Sequence, residues 1–425
     1  MKRNTFENFV PSSDCKARYL KYSVIFEKND SGISQILDFD EVILKNSYKF
    51  VGSCFYKLKT SDSWRGRKDA DCTFSKEEKE ALNAIIFFIL LIKKHKEEGM
   101  AFNQNTCIAY VLKRMIRKAC TWDAKPENME YIRNHITDYD VSETNFVHEQ
   151  FVKSSNKSFV DFLDVLASQI SAKERELFSV AKNYANLIEF DQIKDIIFEE
   201  DVSKVRDRLH RDADNHNTET FFNELLKSLI TRISWSRNIV RWQGYGATLH
   251  CNILCHMYET AVFAWMMALE ENYVFGGLKY DPAIAFMVGL FHDIPEIWTD
   301  DVPSPCKDGI FNNGVALRKL LSEQEKEALD KNFYTVFKNP NVVSYFKQNV
   351  MLEEIEDESF HKFMKKADYF SADYEVYWNI VVGLRHYRFL EILKNSNIPE
   401  RRTSHQVELL TEWIEKIERN EFLEP

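Results

Sequence analysis

Phe291-His292-Asp293-Ile294-Pro295-Glu296 sets a histidine beside an aspartate, with a second carboxylate three residues further on. Outward from this run, His256 lies thirty-six residues upstream of His292, and Asp368 lies seventy-five residues downstream of Asp293. Two imidazoles and two carboxylates form a donor set for a divalent ion such as Mn, Fe, Co, Zn or Mg. Such a set leaves coordination positions open for a water and a phosphate oxygen. Adjacent residues on a helix diverge by about 100 degrees, so His292 and Asp293 share one ion only where it lies between their directions. A His-Asp doublet alone carries little weight in a chain of 425 residues, and a lone helical histidine is ordinarily a hydrogen-bonded core residue. The residues downstream change that balance.

The run continues as FHDIPEIWTDDVPSPCK, which supplies His292, Asp293, Glu296, Asp301, Pro303, Pro305 and Lys307. It resembles the metal-dependent HD-domain phosphohydrolases, and within them the 5'-deoxynucleotidase branch. That branch has a helix carrying His-Asp, a glutamate three residues on, and then an Asp-x-Pro-x-Pro-x-Lys segment. Arg241-Trp242 precede His256 by about the interval of the branch's Arg-Trp pair, and Asp368 closes a Lys-x-Ala-Asp sequence. The resemblance covers about residues 230 to 400. It implies one divalent metal ion (Co, Mn, Mg, Fe or Zn) on His256, His292, Asp293 and Asp368, with Glu296 and Asp301 as the acid-base pair. It also implies that Arg241, Trp242 and Lys307 contact the nucleotide, the indole pressing on the sugar where a 2'-hydroxyl would sit. The implied reaction is hydrolysis of deoxynucleoside 5'-monophosphates to deoxynucleoside and phosphate. Two departures stand out. Leu254-Cys255-His256-Met257 replaces the usual Ser-Glu-His-Ser-like surroundings of the first histidine, and Asp300 replaces a glycine before Asp301.

Composition fits this frame. The length allows two domains with full cores. Glycine (12) and proline (9) are scarce and apolar residues recur at spacings of three and four, so the expected fold class is all-α. That expectation is an HD-domain helical bundle over 229–425, preceded by a mostly helical N-terminal domain over 1–228. A net charge of −10 argues against a surface that coats nucleic acid, so an anionic substrate must be met by local cations. The eight cysteines lack paired spacing apart from Cys251 and Cys255, and no signal sequence precedes them, so reduced thiols and a cytoplasmic location are expected. Cys251, Cys255 and His256 do not make a zinc box, because no second cysteine pair matches them. The longest apolar run, Ala84 to Ile92, is far short of the ~20 residues that span a bilayer.

Along the chain, residues 1 to about 75 read as irregular or strand-containing, with β-prone runs at Tyr22–Phe26 and Glu41–Leu44. Ser75 with Glu78 forms a capping box that starts a helix to about Glu98. Asp281-Pro282 reads as an N-cap followed by proline at the first helical position, opening the helix that ends in His292 and Asp293. His210, Asp212, Asp214 and His216 have metal-like spacing but sit in a polar stretch that reads as a solvated helix end. A faint echo links the halves. Shifts near 177 and of 186 set Lys79, Ile116, Arg117 and Lys182 where His256, His292, Asp293 and Asp368 stand, which suggests a degenerate HD repeat that binds no metal.

Three functions remain open: a cytoplasmic 5'-deoxynucleotidase, a triphosphohydrolase or other nucleotide phosphohydrolase on the same site, or a nucleotide-sensing or scaffolding protein. The expected partners are a small-molecule nucleotide and a second copy of the chain, as a dimer, with neither nucleic acid nor membrane.

Overall fold

The computed structural model describes residues 22–26, 35–39, 45–61, 74–121, 126–154, 157–195, 199–216, 218–242, 247, 249, 251–275, 277–299, 314–384, 387–396 and 402–419. Helices dominate, in line with the all-α expectation. In chain order they are α1 (Lys45–Lys59), α2 (Lys76–Glu98), α3 (Gln104–Cys120), α4 (Pro126–His135), α5 (Tyr139–Ser154) and α6 (Lys157–Ser168). Then come α7 (Ala172–Ile193), α8 (Glu199–Asn215), α9 (Glu224–Ser234), α10 (Ile253–Phe275), α11 (Pro282–Phe291) and α12 (Glu296–Thr299). The last five are α13 (Gly314–Ala328), α14 (Pro340–Asn349), α15 (Glu358–Asn379), α16 (Tyr387–Ser396) and α17 (Ser404–Glu418). The expected β-run Tyr22–Phe26 is strand β1, paired antiparallel with β2 (Gln35–Phe39). The run at 41–44 lies outside the described residues.

Helix α1 corrects the expectation that the chain is irregular up to residue 75. Its Gly52, asparagine and aromatic content argues against a helix locally. Tertiary burial overrides that, because Tyr48, Val51, Phe55 and Leu58 fall on one face and are all buried. Gly52 is needed there, since the ring of Tyr374 occupies the place a Cβ would take. Helix α2 begins as read: Ser75 Oγ accepts from Glu78 N at 3.1 Å and Glu78 Oε2 accepts from Ser75 N at 2.7 Å. It ends at Gly99, whose φ of 70° is the left-handed conformation that suits glycine.

Helices α2 and α10 are buried on nearly every side and form the centre of the molecule. One core spans the point between residues 228 and 229. Phe88 meets Phe286 with ring centres 5.3 Å apart, Phe162 stacks on Trp265 at 5.7 Å, and Tyr48 donates to Glu270 Oε2 at 2.7 Å. Among the described residues no helix is long and apolar enough to cross a membrane.

Candidate metal centre

Three helices deliver the candidate ligands. The side chain of Asn252 caps the start of α10 by accepting from Cys255 N at 3.0 Å, which puts His256 in the first turn, fully buried. Asp281 caps α11 with Pro282 at its first position, as the sequence indicates. Helix α11 ends at Phe291, so His292 is its C-cap and Asp293 lies in the turn that leads through Pro295 into α12. Asp357 caps α15, which carries Asp368, Ser371 and Glu375. Those three residues recur at i, i+3 and i+7, one face of the helix.

His256, His292 and Asp293 offer ligand atoms that all lie within 4.8 Å of one another. His292 Nε2 is 3.2 Å from Asp293 Oδ1, and His256 Nε2 is 3.9 Å from Asp293 Oδ2. Asp368 joins through His256, its Oδ1 standing 3.1 Å from Nε2. Both rings present the tautomer a metal requires. His292 donates from Nδ1 to the Gly289 carbonyl at 2.7 Å, which leaves Nε2 buried and without a hydrogen bond. Ser371 Oγ donates to Glu259 Oε2 at 3.4 Å, so its oxygen accepts from His256 Nδ1 at 3.2 Å and frees that ring's Nε2 as well. An orphaned imidazole nitrogen facing carboxylate oxygens is what an ion-holding donor set looks like. Burial pushes the His292 imidazole below its ordinary pKa, which keeps it neutral. Burial opposes ionisation of Asp368, but Lys365, whose Nζ is 2.7 Å from its Oδ2, and the two histidines hold it well below the usual range.

The ligands open into a cavity of about 190 Å³ that Glu296, Glu325, Glu353 and Lys365 also line. Glu353 is pushed up to about 8 by burial and then by the carboxylates of Glu325, Asp293 and Glu354, so it keeps its proton in neutral water.

Arg241 and Trp242 meet at one carboxylate, Glu375, which is fully buried. Trp242 Nε1 donates to its Oε2 at 2.6 Å, and Arg241 Nε lies 3.3 Å from the same oxygen and Nη1 3.8 Å from Asp293 Oδ2. Burial would raise the Glu375 carboxyl, but Arg241, His256 and Lys59 outweigh it and hold it below its ordinary value. Trp242 has φ 63°, a left-handed conformation rare for a bulky side chain, so its neighbours must fix it there. Asp301 and Lys307, with Asp300, lie outside the described residues.

Sequence reasoning missed a layer behind these groups. Lys59 of α1 reaches Glu259 Oε1 at 2.7 Å, and Glu259 and Glu375 flank His256 in a second close carboxylate–histidine group, all three residues buried. Glu375 and Ser371 were findable from their helical spacing to Asp368. Lys59 was not, being about two hundred residues from its partner in sequence. Cys251 and Cys255 are buried thiols pushed up by that burial, which suits uncharged core residues better than zinc thiolates. The four polar residues near 210–216 belong to no close ligand group among the described residues.

Residues 228–414 match the model of the family described as 5'-deoxynucleotidase YfbR-like. A 5'-deoxynucleotidase of Vibrio cholerae serotype O1 is 32% identical over 94 residues, which is 22% of this chain and 47% of that protein. Another, from Vibrio atlanticus, is 31% identical over 93 residues, 21% of this chain and 46% of that protein. The chain thus spans about half the length of the curated relatives it matches. No solved structure matches it. His256, His292, Asp293 and Asp368 all lie inside the segment that matches the YfbR-like 5'-deoxynucleotidase model.

Proposed function

We propose that this protein is a metal-dependent 5'-deoxynucleotidase that hydrolyses deoxynucleoside 5'-monophosphates to deoxynucleoside and phosphate. The observation that carries the reading is the convergence of His256, His292 and Asp293 with an orphaned, buried His292 Nε2. These residues and Asp368 would hold one divalent ion. When bound, the ion supplies a hydroxide-like nucleophile near neutral pH and draws charge from the phosphoryl oxygens. Everything else is positioning and charge neutralisation by the chain. Arg241, braced between Glu375 and Asp293, presents its planar fork to phosphate oxygens. Trp242, tied to Glu375, presses on the sugar at the 2' position. Glu296 serves proton transfer with Asp301, and Lys307 adds a point charge. Glu353 is a further carboxyl on the same cavity.

One observation favours a second reading, release of triphosphate from deoxynucleoside triphosphates. A groove of about 400 Å³ shares Lys365 with the metal cavity and carries Lys279, Lys362 and Lys366. A panel of deoxy- and ribonucleotides, with phosphate, pyrophosphate and triphosphate scored separately, separates the two readings. In His292→Ala and Asp293→Ala, bound metal and turnover should both fall; undiminished values in both would remove the centre. Trp242→Ala should narrow the preference for dAMP over AMP. Equal parental rates on the two would refute the deoxynucleotidase reading and leave a metal-dependent hydrolase standing.

A further inference from the structure

The two central helices have counterparts of equal length. Helices α2 and α10 are each 23 residues long and offset by 177 at both ends, while α7 and α15 are each 22 residues long and offset by 186 at both ends. Helix α2 packs on α7 as α10 packs on α15. With these offsets Lys79 stands for His256 and Glu189 for Glu375. Each pair is in contact: Lys79 Nζ is 2.7 Å from Glu189 Oε2, and His256 Nδ1 is 3.8 Å from Glu375 Oε1. Lys182 stands for Asp368. The echo fails at the doublet, where Ile116 is buried in apolar core and Arg117 pairs with Glu143. Their neighbours on α3 turn to the junction instead. Lys118 pairs with Glu80 of α2, and the Arg114 guanidinium lies 4.8 Å from the ring centre of Phe178 on α7.

Where three helices of the C-terminal half gather metal ligands, these three gather cations. Lys79, Arg114, Lys118 and Lys182 face the carboxylates Glu80 and Glu189, a surplus of two positive charges. Among the described residues Arg114 Nε is buried without a hydrogen-bond partner. A desolvated donor and crowded like charges are costly unless a counter-charge meets them. A divalent cation cannot be that partner. A dianionic tetrahedral oxyanion can, since it matches the surplus charge and accepts from both an arginine fork and lysine ammonium groups. Lys182 keeps solvent access, so a ligand can reach it.

We propose that the junction of α2, α3 and α7 is a phosphate-binding site formed by Lys79, Arg114, Lys118 and Lys182, separate from the metal centre. Lys182 is exposed on the junction, and the packing around its stem together with Arg114, Lys118 and Lys79 lowers its ammonium to about 8. The ligand is inorganic phosphate or the phosphate of a nucleotide, and the inference does not depend on catalysis in the other half.

The test titrates the full-length chain calorimetrically with inorganic phosphate and, in parallel, with dAMP, each with and without a chelator of divalent cations. One phosphate per chain should still bind under chelation, and Arg114→Gln and Lys182→Gln should each weaken that binding at least about tenfold. Lys365→Gln, in the metal cavity, should leave it unchanged. Tighter binding of dAMP than of phosphate in the chelated protein assigns the site to nucleotides, and equal binding assigns it to the free anion. In Lys182→Met the thermal midpoint of the ligand-free protein should rise as like-charge crowding is relieved, a readout that a merely structural lysine would move downward. Absence of chelator-resistant binding, or its survival in both junction variants, would overturn the proposal, as would its loss in Lys365→Gln.

Discussion

Gly289→Ala tests whether the contact between α10 and α11 sets the geometry of the metal centre. A Cβ at position 289 would lie 2.6 Å from Ala261 Cα and 2.8 Å from Ala261 N, where ordinary contact begins at 3.4 Å. The obstacle is backbone, which cannot rotate aside, so the helices must separate locally by about 0.8 Å, the difference between 3.4 and 2.6. Overpacking of this kind costs about 1–3 kcal/mol, and a rigid obstacle argues for the upper end. Alanine's better helix propensity returns about 1 kcal/mol, which leaves a net loss of about 2 kcal/mol. The consequence for the site is larger. Gly289 also holds His292 through its carbonyl, so displacing α11 carries His292 and Asp293 away from His256 on α10. A misplacement near 1 Å costs on the order of a hundredfold in rate. Urea unfolding should show the lower midpoint with an unchanged slope, while metal content and deoxynucleotide turnover fall together. If Gly289→Ala unfolds at the parental midpoint and keeps its metal, the close helix contact does not govern the centre and the reasoning is wrong.

Glu375→Gln keeps the shape of the buried anchor but removes the charge that meets Arg241 and Trp242. Breaking a buried pair in this way should cost about 3–5 kcal/mol and loosen the preference for deoxy over ribo sugars; a parental unfolding midpoint together with parental selectivity would contradict it. Glu353 has its folded pKa raised to about 8 by burial, above its ordinary 4.5. It therefore contributes stability that is complete below about pH 4.5 and is lost as pH rises through about 8. In Glu353→Gln the decline in urea midpoint between about pH 5 and 8 should be shallower than in the parent, and superimposable pH curves would remove Glu353 as a proton-holding group.

The helical class and the convergence of His256 with the His292-Asp293 doublet were legible because the signals for them rest on local chemistry. Ser75 with Glu78, and Asp281 with Pro282, are caps written in consecutive residues, and both helices begin where those caps put them. The doublet and Glu296 likewise line one cavity. Helix α1 was not legible, because what makes it helical is the core it fills, with Gly52 present for the sake of the Tyr374 ring. The echo was half legible. Two offsets, 177 and 186, put Lys79 and Lys182 on helices of matching length, but a rigid register chose Ile116 and Arg117 on α3, where the charges that face the junction are Arg114 and Lys118.

The least legible feature bears most on how the two halves of the chain work together. The imidazole of His256 is held through Ser371 by Glu259, and Glu259 is held by Lys59, which comes from α1. Asn252, which caps α10 beside that histidine, donates to Glu78 Oε1 of α2 at 2.6 Å. Two N-terminal helices thus fix His256, a candidate metal ligand, from behind. Burial of Lys59 against Glu259, with the Glu77 carboxyl pushed up chiefly by its own burial, is a charge arrangement that needs both halves folded together. The same helices α1 and α2 pack into the shared core, and α2 carries Lys79 at the cationic junction. An anion bound there would stabilise the face of the molecule that positions His256, which would give the N-terminal half a physical route to the candidate metal centre.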